Sequence, residues 1–310
     1  MRYHNQRQVY GETLLELGTV NKNIVVLEAD LGKSTMTTLF EQKFPERFFE
    51  MGIGEANMTS FAAGLSLTGK IAFTNSFAVF AAGRAFDQIR QGISIPGLNV
   101  KIVGSSAGLS DFGDGATHQS VEDVAIMRAI PNMTVLVPAD GIETRKMMNK
   151  IVEYDGPVYL RINRHDLPDL FPEGQEFVIG KPYLIREGND IVVFANGIMV
   201  SKAVEAADTL EKEGISVRVV NVSSLKPIDE NEIIKFTDNI KGIITAEEHS
   251  LIGGLASAIT YILRGRAIKI VPIGIEDRFG QSAHGYEELL EEYGLSAKSI
   301  INSAKNLLQE

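Results

Sequence analysis

Residues 100–137 read VKIVGSSAGLSDFGDGATHQSVEDVAIMRAIPNMTVLV. A short apolar run, Val100–Val103, opens the stretch, and another, Thr134–Val137, closes it. Between them, HQSVEDVAIMRAI carries a helical pattern. Buried strand, helix, buried strand is the unit that builds a mostly parallel sheet covered by helices. Outward from this stretch the alternation continues. Asn23–Leu27 (NIVVL), Ile71–Thr74 (IAFT) and Val158–Ile162 (VYLRI) read as strands, and EANMTSFAAGLSLTG, beginning at Glu55, reads as a helix. Residues 165–190 then hold three prolines, three glycines and mixed charges, which suits a segment crossing a surface. A second α/β set follows, with strands at Asp190–Ala195, Ser216–Val222, Gly242–Ala246 and Ile268–Ile273. Met199–Lys212 forms an amphipathic helix, and a helical tail runs from Gly285 with a YGLSA step in it.

The 310 residues exceed one typical domain and fit two. With 44% hydrophobic and 23% charged residues, the composition is that of a globular chain. A net charge of −10 disfavours a general nucleic-acid surface. Cysteine is absent, which excludes disulfides, Cys-ligated zinc, iron–sulfur clusters and thiolate catalysis. The five histidines are too scattered to suggest a metal cluster, and no metal site is expected on this chain. The opening MRYHNQRQVYGETLLELG is polar and then amphipathic, unlike a signal peptide, and no apolar run has the length of a membrane span. A cytoplasmic protein with no membrane partner is expected. GxGxxG, a complete P-loop, HExxH and GxSxG are all missing.

Candidate chemistry gathers at four places. In Met51-Gly-Ile-Gly-Glu-Ala-Asn-Met58, Glu55 stands where a glycine-rich loop enters a helix. A carboxylate there, partly buried against Phe and Met, suits sharing a proton with a neutral base. It equally suits the dipole of a helix N-terminus. Phe77 and Phe80 fall at i,i+3 on one helix face, where they would either stack on a flat heterocycle or fill core. In GLSDFGDGATHQSVED, His118 is expected at a loop-to-helix boundary, and with Asp114 it could bind hydroxyl and phosphate groups, unless the stretch is only an exposed loop capped by Thr117. Arg161 and Arg164 end a strand, the edge at which parallel sheets bind ligands. Arg164 can offer a planar fork to an anion, although strand-end arginines often only solvate the edge. Lys33 with Ser34, and Arg7, are lesser anion candidates. Gly113-Asp114-Gly115 spells the start of the diphosphate–magnesium motif of thiamine diphosphate enzymes, but that motif needs a following Asn and PADGIETR at 138–145 has none.

Taken together, these segments resemble the C-terminal half of a transketolase, and more closely the separate C-terminal subunit of split, two-chain transketolases. The resemblance is carried by Arg7 with Tyr10-Gly11, Glu28-Ala-Asp-Leu31 with Ser34, GIGEANM around Glu55 and SFAVFAAGRAFDQIR from Ser76. It continues through DGATHQSVED from Asp114, GPVYLRINRHDLP from Gly156, EEHSLIGGLASAI from Glu247 and FGQSAHGYEELLEEYGLSA from Phe279. It implies an α/β fold: a transketolase-type pyrimidine-binding domain with a parallel sheet over 1–170, a linker over 171–186, and the smaller transketolase C-terminal domain over 187–310.

It further implies transfer of a two-carbon ketol unit between sugar phosphates, with thiamine diphosphate as electron sink. In the family a glutamate hydrogen-bonds N1′ of the aminopyrimidine, here Glu55. The cofactor pocket maps onto Phe77, Phe80 and Asp30, the substrate C2 hydroxyl contact onto Asp114, and the phosphate-binding groups onto Arg7, Ser34, His118 and Arg164. Glu55 and His118 are the implied catalytic residues. Mg²⁺ and the diphosphate would be held mainly by a partner N-terminal subunit, in an α2β2 assembly inactive without it. There are departures. Gly54-Glu55-Ala56 stands where the family often has Arg-Glu-His, Ser106 stands where many members carry a histidine, and SDFGDG replaces a V-G-E-D-G pattern. Two other readings share the architecture: the β subunit of a 2-oxoacid dehydrogenase or decarboxylase, and a non-catalytic structural subunit.

Overall fold

The computed structural model describes residues 2–309. The strands in chain order are β1 (Tyr3–Asn5), β2 (Ile24–Glu28), β3 (Phe48–Glu50), β4 (Ile71–Phe77), β5 (Val100–Ser105), β6 (Thr134–Leu136), β7 (Val158–Arg161) and β8 (Asp166–Pro168). After them come β9 (Tyr183–Arg186), β10 (Ile191–Ala195), β11 (Val217–Asn221), β12 (Ser224–Lys226), β13 (Gly242–Ser250) and β14 (Ile270–Ile275). Seven strands form the first sheet in the order β12-β6-β7-β5-β4-β2-β3, and five form the second in the order β14-β13-β10-β11-β9. Both sheets are parallel except at one edge, where β12 pairs antiparallel with β6 and β9 pairs antiparallel with β11. The expected α/β architecture with parallel sheets is therefore the observed one.

Alternate residues of the first sheet enter two different cores, as the period-2 geometry of a strand requires. Val25, Leu27, Ala72 and Ile102 pack with Met58 and Ala62 of the helix Glu55–Ser66. Ile24, Val26, Phe73 and Val103 pack on the other face, with Leu14 of the helix Gln6–Val20 and Met147 and Met148 of the helix Gly141–Glu153. Both faces being covered explains why these strands read as continuous apolar runs.

Several elements differ from the sequence expectation. The stretch 171–186, expected as a linker, has Phe171, Phe177 and Tyr183 packed in the second of these cores, and its last four residues are β9. The three residues of β12, from the second half of the chain, complete the first sheet. The helix expected from His118 begins only at Asp123. His118 instead follows a single 3₁₀ turn, Gly115–Thr117, because Gln119 is tied down by donating to the carbonyls of Asp111 and Gln281.

The two halves are joined by a buried polar seam. Arg161 Nε donates to Asp123 Oδ2 at 2.9 Å, and its Nη2 to the Glu248 carbonyl at 3.0 Å. Burial works against ionisation of Asp123, but the adjacent guanidinium outweighs it and holds the carboxyl below the usual range. Burial pushes the neighbouring His249 imidazole down to about 4. Leu109 N donates to Glu248 Oε1 at 2.8 Å, and Gly108 at φ +66 makes the approach possible, since a Cβ there would lie 2.4 Å from the Glu248 carboxyl carbon. Among the described residues, no helix is long and apolar enough to cross a membrane.

Removing one member of such a pair leaves a buried charge without its partner. Asp123→Ala is therefore expected to cost about 3–5 kcal/mol of stability, read by urea unfolding of the purified chain. A loss below about 1 kcal/mol would show that the Glu248 and Ser120 carbonyls alone satisfy Arg161.

Candidate active site

The C-terminal ends of β2, β4, β5 and β7 converge on one edge of the first sheet, the edge at which open α/β sheets take ligands. Beyond β2 the chain turns sharply. Thr35 and Thr37 hydroxyls each donate to Glu28 Oε2 at 2.6 Å, folding the short helix Gly32–Thr35 back against the strand end. Burial pushes the Glu28 carboxyl up to about 7. Asp30 takes a left-handed backbone at φ 61, pinned by its N–H donating to Glu50 Oε1 at 2.9 Å. Ser106, past the end of β5, is left-handed too, at φ 51. Neither is glycine, so each conformation costs on the order of 1–3 kcal/mol that the surroundings must supply.

A cavity of about 400 Å³ opens between these turns, lined by Asp30, Ile53, Glu55, Phe80, Arg84 and His118 among others. Glu55 opens the helix Glu55–Ser66 and is 3% exposed. Phe77 is the last residue of β4, not a helical one, and Phe80 lies in the helix Ala78–Gly83 that follows. Their rings are nonetheless stacked, 13° from parallel with centroids 6.1 Å apart. His118 presents its edge to Phe80 at 5.3 Å and holds Thr117 Oγ1 on its Nδ1 at 3.0 Å.

Sequence reading missed Arg84. It places Nη1 3.2 and 3.3 Å from the two Glu55 oxygens and lays its guanidinium on the Phe80 ring, 4.1 Å from the centroid. Glu55, expected to be partly buried against Phe and Met, is buried and also has a charged partner. Its carboxylate is ion-paired with a half-exposed arginine and faces the Ser76 hydroxyl at 3.4 Å.

A second cluster lies beside the first. Arg7 Nη1 donates to the Ser34 carbonyl at 2.9 Å, so the contact with Ser34 is through its backbone. Arg164 Nη1 donates to Asp111 Oδ1 at 2.7 Å. Burial and then the Arg164 charge push the Arg7 guanidinium below its ordinary value, while the Asp111 and Asp166 carboxylates act the other way. Asp114 is exposed on the loop, and Arg161 points into the seam, away from this cluster.

These residues fit one end of a thiamine cofactor. A flat apolar wall with a buried carboxylate beside it suits an aromatic heterocycle with a ring nitrogen. Among the described residues, no group of three or more His, Asp or Glu side chains converges as a metal ion requires.

Residues 3–169 match the transketolase pyrimidine binding domain, and residues 180–300 the transketolase C-terminal domain. The chain is 46% identical to a putative transketolase C-terminal section of Methanocaldococcus jannaschii, over 99% of this chain and 96% of that protein. It is 40% identical to a 6-deoxy-6-sulfo-D-fructose transketolase subunit of a Clostridium species, over 99% of this chain and 95% of that one. A solved split-gene transketolase, described as an inactive β4 tetramer, superposes with a TM-score of 0.88 at 46% identity, covering 98% of both chains. A Campylobacter jejuni transketolase shares the fold, with a TM-score of 0.86 at 23% identity over 98% of this chain and 47% of that one. A pyrimidine-binding domain followed by this C-terminal domain defines the second half of a thiamine diphosphate-dependent enzyme. The chain belongs to the transketolase family and stands among its separate C-terminal subunits.

Arg84 and Glu55 should be energetically coupled. Arg84→Ala is expected to destabilise the chain by about 1–3 kcal/mol, because it strands a buried carboxylate, and to cost clearly less in a Glu55→Gln background. Urea unfolding of the two single variants and the double variant measures the coupling, and additive losses would show that the ion pair does not form.

Proposed function

We propose that this chain is the C-terminal subunit of a two-chain transketolase moving a two-carbon ketol unit between sugar phosphates. The observation that carries the reading is Glu55, a buried carboxylate in the wall of a cavity beside a pair of stacked phenyl rings. The protein's own residues divide the work. Phe77 and Phe80 offer a flat, dry face to an aromatic ring. Glu55 holds a proton at its carboxyl in exchange with a ring nitrogen set against it. Asp30 and the turn around it border the same cavity. Thiamine diphosphate, when bound, supplies the electron sink for carbon–carbon cleavage.

His118, with Nδ1 engaged by Thr117, keeps Nε2 for a substrate oxygen. Arg7 and Arg164 form the cationic end that fixes the far, anionic end of the sugar. Asp114, close enough for its charge to act on Asp111, is the group proposed to meet a substrate hydroxyl. The missing Asn after Gly113-Asp114-Gly115 supports a reading in which an N-terminal subunit holds the diphosphate and Mg²⁺ and two copies of each chain complete two sites. The 6-deoxy-6-sulfo-D-fructose transketolase subunit at 40% identity supports a sugar with an anionic end group as substrate.

Two outcomes test this. The purified chain with thiamine diphosphate and Mg²⁺ should give no ketose cleavage, and should gain it when the N-terminal subunit is added. Turnover by the lone chain would end the reading. In the reconstituted complex, Glu55→Gln should leave assembly intact by sedimentation and lower kcat on the order of 10²-fold or more. A kcat near that of the unaltered protein would place the proton-holding group elsewhere.

A further inference from the structure

Arg84 belongs to the cavity yet has no part in the division of work set out above. Its backbone is held at the end of the helix Ala78–Gly83, where its N–H donates to the Phe80 carbonyl at 3.1 Å. Its side chain is half-exposed and lines the cavity beside Glu55 and Phe80. Among the described residues, its guanidinium donates to Glu55 alone. One nitrogen makes both contacts, at 3.2 and 3.3 Å to the two carboxylate oxygens. A close charge-assisted hydrogen bond is about 2.7–2.9 Å long, so this pair is loose.

The same guanidinium lies on the Phe80 ring, 4.1 Å from the centroid. A planar cation is thus set against an aromatic face with an N–H on the Glu55 carboxylate. Those are the two contacts that would hold an aminopyrimidine: a flat face on a phenyl ring and a ring nitrogen at a carboxyl. Glu55 is 3% exposed and already faces the Ser76 hydroxyl at 3.4 Å, which leaves little room at its carboxylate for a ring and a guanidinium together.

Leaving costs the guanidinium little. A half-exposed ion pair is screened by water, and the surface beside it is open, since a Cβ on Gly83 would meet nothing within 4 Å. Glu55 is in the opposite position, because a buried carboxylate stripped of its partner bears its full desolvation cost. Arg84 meets that need while the cavity is empty, and a ring nitrogen would meet it once the cavity is filled.

We propose that Arg84 is a displaceable occupant of the ring site, whose guanidinium takes the place of the cofactor's aminopyrimidine on Phe80 and Glu55, swings out to solvent when the ring enters, and so sets the affinity for that ring. The inference rests on the assignment of Phe80 and Glu55 to the cofactor's ring and deepens it. Every binding event then works against the population in which Arg84 fills the site.

The test measures binding rather than turnover. Two probes are titrated calorimetrically into the reconstituted complex: the aminopyrimidine alcohol that forms one end of thiamine, and thiamine diphosphate with Mg²⁺. Arg84→Ala should bind both on the order of tenfold more tightly than the unaltered protein. Arg84→Lys, which keeps the charge without the planar stack, should fall between the two. A structure of the unaltered complex with thiamine diphosphate, which needs no variant to fold, should show the guanidinium off the Phe80 face.

Should the ring bind more tightly in the variants while ketol transfer is absent, the transferase reading fails and the role of Arg84 stands. Unchanged or weaker ring binding in both variants overturns the proposal, as does a cofactor-bound structure with the guanidinium still on Phe80 and Glu55. Arg84 is then a positioning group for Glu55. Binding of neither probe to any of the complexes overturns the ring assignment and the proposal together.

Discussion

Arg161 is the constraint on which the rest of the structure turns. A guanidinium cannot shed its charge, so burying one obliges the fold to bring acceptors to it. Here they come from three directions: the Asp123 carboxylate at the start of a helix, the Ser120 carbonyl in the loop before it, and the Glu248 carbonyl in β13 of the other half. Meeting that demand fixes the loop from Ser106 to Glu122, and that loop carries Asp111, Asp114 and His118. It also fixes the end of β7, three residues before Arg164. The placement of Asp111, Asp114 and His118 on this side of the sheet thus follows from one buried charge.

The opposite side of the cavity is organised by carboxylates rather than by a cation. Glu28 gathers two threonine hydroxyls and the Ala29 N–H, and Glu50 caps the turn through Asp30 and Gly52. These contacts hold the left-handed Asp30 in place. Glu55 differs in having a partner open to solvent. Arg84 is half-exposed and stacked on Phe80, so its pairing with Glu55 is made at the surface of the cavity, where an incoming ring would compete for the same carboxylate.

Legibility in the sequence followed burial. Strands β2, β4, β5 and β7 are covered on both faces and announce themselves as apolar runs, with ends displaced by only a few residues. The edge strands β3, β8, β9 and β12 are three or four residues long and contain no run to read. Glu55, His118, Phe77 and Phe80 were singled out from the local pattern and the family resemblance, although Phe77 ends a strand and does not lie on a helix face. Arg84 escaped although its segment was recognised, since its partner lies in another helix and no spacing rule links the two. Asp111 escaped likewise. Its significance is its distance from Arg164, a quantity fixed by the meeting of two loops.

The exchange of β12 bears on where this polypeptide could be divided. A first domain severed at residues 171–186 would forfeit Ser224–Lys226 and leave β6 as a bare sheet edge, an unpaired row of backbone donors and acceptors that templates aggregation. The second half would in turn carry an orphaned three-residue strand. Although the two halves have separate sheets, they form one heritable unit. A cut at 171–186 therefore parts β12 from the sheet it completes.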